Sequence, residues 1–134
     1  MKRILPAILL AACLPGWAAA DCLEYGPNNL YGTLVRQTYA GPPDYKSISR
    51  GDKPLVIWVL LLNQLTCVVD SYSRSYGNYG EREVQLVLQE GQYEEYRNLL
   101  GKKVVVTGNL KRGRGDYKRL LIVPYDIART SVRP

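Results

Sequence analysis

The 134-residue sequence predicts a mainly β domain, a small barrel of five to six strands with one short helix before the last hairpin. Three observations point there. Residues 83–88 and 103–110 alternate with period two, which places Val84, Leu86 and Leu88 on one face and Val104, Val106, Gly108 and Leu110 on another. That is the signature of half-buried strands. Residues 55–62 form an unbroken apolar run rich in β-branched and aromatic side chains, which suits a strand covered on both faces. In residues 90–100, Tyr93, Tyr96 and Leu100 fall three to four apart, the spacing of a short helix.

Taken in order, residues 30–39 alternate loosely and form a first strand, with Gly32 marking an expected bulge. Ala40-Gly41-Pro42-Pro43-Asp44 then breaks regular structure and opens a loop that runs to Pro54. Loops of that length are more often functional or mobile than simple connectors. The apolar run 55–62 follows, then a turn at Asn63-Gln64 and a further strand over 65–69 that carries Cys67. Residues 70–80 are rich in Ser, Tyr and Gly without apolar periodicity, the composition of a surface loop. After the strand at 83–88 comes the helix, with Glu90 favourable in its first turn and Gly101 as its stop. The strand at 103–110, a turn at Gly113-Arg114-Gly115-Asp116 and a returning strand at 119–127 make the closing hairpin.

Strands, one helix, then a closing hairpin is the layout of an OB-fold-like barrel, with the helix plugging the barrel between its third strand and the hairpin. Closure removes exposed sheet edges. Three short meander sheets fit the same pattern less economically.

Met1-Lys2-Arg3, an apolar run over 4–17 and Ala18-Ala19-Ala20 have the three parts of an export signal. The expected organisation is therefore a signal peptide over 1–20 and one β domain over 21–134, working in the periplasm or outside the cell. In a second reading, Leu10-Ala11-Ala12-Cys13 is a lipoprotein processing site that tethers Cys13 to a membrane. It leaves an unusually short signal with Pro6 inside the apolar run. The run is also shorter than the roughly 17–25 residues of a bilayer span. Cleavage after Ala20 leaves two cysteines, Cys22 and Cys67, and an even pair in an oxidising compartment is expected to be bridged. Without a C-x-x-C spacing, a reactive thiol pair is the weaker reading.

Charge is focused. Removing Lys2 and Arg3 takes the net charge from +6 to +4. Lys102, Lys103, Lys111, Arg112, Arg114, Lys118 and Arg119 lie in one stretch with only Asp116 opposing, so the rest of the domain is slightly acidic.

The string Tyr39-Ala40-Gly41-Pro42-Pro43-Asp44-Tyr45-Lys46-Ser47-Ile48, then Gly51-Asp52, Trp58, Cys67-Val68, Val84-Gln85-Leu86-Val87-Leu88 and Leu99-Leu100-Gly101-Lys102-Lys103-Val104 resembles the domain of unknown function 4431 family of small bacterial exported domains. The resemblance implies an OB-like β-rich fold, an exported location and no established activity. Relatives commonly carry histidines in the final hairpin, where this chain has Lys111-Arg112-Gly113-Arg114-Gly115-Asp116-Tyr117-Lys118 and no histidine anywhere.

That absence bears on chemistry. Histidine is the commonest acid or base near neutral pH, and the remaining carboxylate pairs are thin. Glu81 and Glu83 share a strand face around Arg82, as a solvated edge would. Asp44 and Asp52 sit in turn-forming contexts, where aspartate serves its own backbone. No enzymatic activity, metal or cofactor is expected. The leading reading is a non-catalytic binding module whose candidate ligand-binding residues are Lys111, Arg112, Arg114, Tyr117, Lys118 and Arg119, with Tyr117 offering stacking beside charge. The bland reading is a solvated basic turn that aids solubility. An anionic envelope ligand or a protein partner suits the compartment better than nucleic acid, and the expected state is a monomer. The rival class is a structural or inhibitory protein acting on another envelope protein.

The eleven tyrosines divide similarly. Tyr72, Tyr76 and Tyr79 resemble protein-recognition loops, although a partly packed surface loop is the stronger reading. Tyr93 and Tyr96 are expected to pack the helix on the barrel with their hydroxyls exposed, and Trp58 to sit in the core. Two Arg-Gly-Asp strings, at 50–52 and 114–116, are better explained by turn chemistry than by adhesion.

Overall fold

The computed structural model describes residues 22–69, 81–114 and 118–130. The expected signal at 1–20 with Cys13, the loop tyrosines Tyr72, Tyr76 and Tyr79, and Asp116 and Tyr117 of the hairpin turn lie outside the described residues.

The chain is mainly β. Its elements are β1 (Leu23–Glu24), β2 (Gly26–Ala40), β3 (Pro54–Thr66), β4 (Val68–Val69), β5 (Glu81–Leu86), α1 (Gln92–Glu95), β6 (Lys103–Arg112) and β7 (Leu120–Arg129), with 3-10 turns at Ile48–Arg50 and Arg97–Leu99. Five strands close a barrel in the order β2-β3-β5-β7-β6 and back to β2. Within the barrel every pairing is antiparallel except β5 with β7. That parallel seam is short, running from Gln85 opposite Leu121 to Leu86 opposite Ile122, and Val87 N–H extends it to Ile122 O at 2.9 Å.

Alternation places the core where the patterning predicts it. Leu30, Leu34, Trp58, Leu60, Leu62, Val84, Leu86, Val104, Val106, Leu110, Leu120 and Ile122 all point into one buried cluster. Each such side chain stabilises the fold by about 1.5–3 kcal/mol on burial. The run predicted to be covered on both faces is so only in its middle: Ile57 to Leu60 are buried, whereas Leu55 and Val56 are exposed.

Gly32 is not at a bulge. It is paired on both sides at once, with Leu62 of β3 and Val104 of β6, because the long β2 serves both neighbours and its two ladders overlap there. A Cβ on Gly32 would stand 2.2 Å from Leu61 O, so close backbone approach, not an extra residue, excludes a side chain. The register shifts fall instead between Leu61 and Thr66 and between Thr107 and Gly108.

The turn expected at Asn63-Gln64 does not form either. β3 continues through it to Thr66, and only Val68–Val69 forms the separate strand β4, parallel to β1. A disulfide explains the placement. Cys22 is bonded to Cys67 with their Cα atoms 4.7 Å apart, and Leu23 N–H donates to Cys67 O at 2.8 Å.

The expected helix over 90–100 is divided into one α turn and one 3-10 turn. Gly91 stands at the N-cap without a side-chain cap, and so short a helix has little stability of its own. Packing holds it. Tyr96 is buried in the core cluster, and Tyr93 meets Trp58 edge-on with ring centroids 5.4 Å apart. Glu90 precedes the helix, so Glu94 and Glu95 occupy its first turn. Gly101, at φ +79°, does end the segment, and its N–H donates to Leu34 O at 2.7 Å.

Candidate functional site

β2 and β3 are joined by the loop 41–53, which the sequence marks as functional or mobile. It is held from within. Asp52 is the one buried charged residue among the described residues, and its carboxylate accepts N–H bonds from Asp44 at 3.0 Å, Lys46 at 2.9 Å and Ser47 at 2.8 Å. These bonds to Ser47, Lys46 and Asp44 hold its carboxyl below the ordinary value, outweighing the opposing effect of desolvation. The first Arg-Gly-Asp string is therefore turn chemistry: Gly51 caps the 3-10 turn in the left-handed region, and the aspartate is consumed by the loop. On this scaffold Tyr45 takes φ +58° and leaves 57% of its surface exposed. Non-glycine residues seldom adopt that conformation without a local reason.

The closing hairpin divides its cations between two places. Lys111, Arg112 and Arg114 line an open cleft of about 740 Å³ with Tyr25, Leu110 and Gly113. Lys111 and Arg112 are exposed at the end of β6, opposite Leu121 and Leu120. Gly113 N–H donates to Arg119 O at 2.8 Å and closes the base of the turn. Tyr25, which no sequence motif marked, supplies the ring beside those charges.

Lys118 and Arg119 turn the other way, onto the outer face of the barrel. Lys118 pairs with Glu83 and lies over the Tyr39 ring, 5.2 Å from its centroid. Gln37 Nε2 donates to the other oxygen of Glu83 at 3.1 Å, and the Tyr39 hydroxyl donates to Gln37 Oε1. Arg119 reaches Glu81 at 3.7 Å, but its side chain is 73% exposed against 16% for Lys118, so that contact is solvent-screened. Glu81 and Glu83 are thus not a freely solvated edge; the hairpin brings cations to both.

Electrostatics follows geometry. The hydrogen bond from Lys118, then that from Gln37, holds the Glu83 carboxyl below its ordinary value. For Lys118 the largest single influence is partial desolvation, which opposes the charge; the bonds to Glu83 and Tyr39 together outweigh it and hold the ammonium above its ordinary value. Burial, then the charges of Glu95 and Asp126, raises the Tyr96 phenol, whose oxygen also has a backbone partner at Ile127. Its hydroxyl is therefore not the solvent-facing group expected.

Among the described residues no cluster of three or more His, Cys, Asp or Glu is placed to hold a metal ion. Among them, too, no helix is long and apolar enough to cross a membrane.

Fold and site together define a small, disulfide-linked β-barrel domain with a clamped loop and a basic hairpin. Residues 83–113, from β5 through α1 to the end of β6, match the family model described as Domain of unknown function (DUF4431), and over that segment the chain is similar to the family. The match spans about a quarter of the chain. No curated protein and no solved structure matches it.

Proposed function

We propose that the protein is an exported, non-catalytic binding module that takes an anionic envelope ligand at the end of its last hairpin. The observation that carries this reading is the cleft that Lys111, Arg112 and Arg114 line together with Tyr25. Clustered cations with an adjacent aromatic surface suit phosphate- or carboxylate-bearing ligands, which gain from charge and from packing. Lys118 and Arg119 play a lesser part, since Glu83 and Glu81 already answer their charges. The Cys22–Cys67 bond and the export signal read in the sequence favour an oxidising compartment.

A non-catalytic role accords with the side chains. The chain has no histidine, and Glu81, Glu83 and Asp52 each serve a structural partner.

The experiment is binding of the oxidised domain to purified lipopolysaccharide and to phosphatidylglycerol vesicles, with a K111A/R112A/R114A variant alongside. Binding to either that the variant loses supports the reading. Equal binding by the variant rejects it.

One observation favours the rival class, an inhibitory or structural protein acting on an envelope partner. The 41–53 loop is ordered before any partner arrives, and it presents Tyr45 outward. Preorganised loops with an exposed aromatic suit protein recognition. If Y45A abolishes capture of one stoichiometric envelope protein while the basic triple variant retains it, this rival replaces the anion reading.

A further inference from the structure

We infer that Glu83, Tyr39 and Gln37 form a recognition site for a primary alkylammonium group, filled in this chain by its own Lys118. This goes beyond the anionic cleft and does not depend on it, since none of Tyr25, Lys111, Arg112 and Arg114, which line that cleft, takes part.

The chemistry is that of an ammonium receptor. A carboxylate faces the cation, an aromatic ring lies under it at 5.2 Å, and the Tyr39 hydroxyl adds a further contact. Gln37 holds the second carboxylate oxygen at 3.1 Å, which fixes the direction in which Glu83 presents the first. The corner is assembled from β2 and β5. Only Lys118 comes from outside those strands, at the edge of the hairpin turn.

Space for an incoming ligand exists beside the carboxylate. An open cleft of about 590 Å³ runs along Leu61, Glu81, Arg82 and Glu83, with the apolar Leu61 placed to receive an alkyl stem. Farther along β5, the side-chain oxygen of Gln85 is buried without a hydrogen-bond partner, a spare acceptor on the face that carries Glu83. Exchange of one ammonium for another requires rotation of the Lys118 side chain alone, because lysine carries its charge on a flexible four-carbon stem. The ligand class is therefore a lysine side chain of a partner protein or a free polyamine.

A tethered lysine competes with an added ligand at an effective concentration in the millimolar range or above. Removing it should therefore expose the site. The test is titration of Lys118→Ala, in the oxidised domain, with Nα-acetyl-lysine methylamide and separately with spermidine, followed by NMR at the Tyr39 and Gln37 signals. Saturable binding with a Kd on the order of 1–10 mM is expected, as for a ligand with few contacting atoms. It should be at least about tenfold weaker in the wild type and in Lys118→Arg, which keeps a cation in place, and lost in E83Q/K118A. Tighter binding of the lysine analogue assigns the site to a protein partner, and tighter binding of spermidine assigns it to a polyamine. No saturable binding by K118A, or equal binding by E83Q/K118A, overturns the inference. Lys118→Ser is titrated in parallel; if neither it nor K118A folds, Lys118 is a structural filler and the inference fails.

Discussion

The carbonyl oxygen of Leu61 occupies the space that a side chain on Gly32 would need, at 2.2 Å from the position of a Cβ. Both residues lie in ladders that cannot shift independently, because Gly32 is paired to β3 and β6 at once. Gly32→Ala is therefore expected to destabilise the barrel by about 3 kcal/mol or more, in the range of severe core substitutions. Urea denaturation checks it. A loss below about 0.5 kcal/mol would show that β2 and β3 do not approach as described.

Cys22 and Cys67 close a loop with a sequence separation of 45 residues. On the chain-entropy model such a bridge contributes about 4 kcal/mol, comparable to burying two core leucines. The C22S/C67S variant, or the wild type under reductant, should unfold at markedly lower denaturant. Identical midpoints with and without reductant would argue that the pair is not bonded in the folded protein.

Asp52 carries a pH signature. Its folded-state carboxyl is held below the ordinary value of 3.8, so its contribution is fully present above that value and is lost as pH falls through the lower, folded one. Asp52→Asn should remove this acid dependence. It should also speed hydrogen exchange at the amides of Asp44, Lys46 and Ser47 by about tenfold, since the charged acceptor is gone. Unchanged protection at those three amides would mean that other bonds order the loop.

The Glu83–Lys118 pair has its own window. Glu83 is shifted down from 4.5 and Lys118 up from 10.5, so the stabilisation they share is constant between those values. It fades as pH drops through the lowered value of Glu83 or climbs through the raised value of Lys118. Glu83→Gln should flatten both limbs, as read by thermal unfolding against pH. A wild-type curve already flat to the extremes contradicts the pairing.

What could be read from the residues themselves follows a physical division. Period-two alternation reports which side chains face a core, so Val84, Leu86, Val104, Val106 and Leu110 were legible without coordinates. Trp58 was legible from its place in the unbroken apolar run 55–62, and the bridge followed from counting cysteines. The boundary of β3 was not, because Asn63 is a common turn former and only pairing with distant partners decides whether a strand runs through it. Gly32 was mistaken for a bulge because a glycine within a strand has two explanations, and choosing between them requires knowing that β2 has neighbours on both sides.

The candidate site divides similarly. Lys111, Arg112 and Arg114 stand out by local charge density. Tyr25 reaches their cleft only through barrel closure. Glu83 is distant along the chain from Gln37 and Tyr39 and meets them because β2 and β5 both pair with β3, so no local motif announces the corner that Lys118 occupies. The one available signal was Gln37 and Tyr39 two residues apart, on the face of β2 opposite the core-facing Leu34.

The most direct test of the anion-binding reading compares the two halves of the hairpin. Lipopolysaccharide is titrated into wild type, K111A/R112A/R114A and R119A at about 50 and 200 mM salt, a range over which screening of surface charge deepens strongly. The triple variant is expected to bind at least about 30-fold more weakly, at roughly 1 kcal/mol per removed cation less some compensation. R119A should stay near wild type, and wild-type affinity should fall steeply with salt. Salt-independent binding, or equal losses in R119A and the triple variant, would contradict the assignment of the ligand to the Tyr25 cleft.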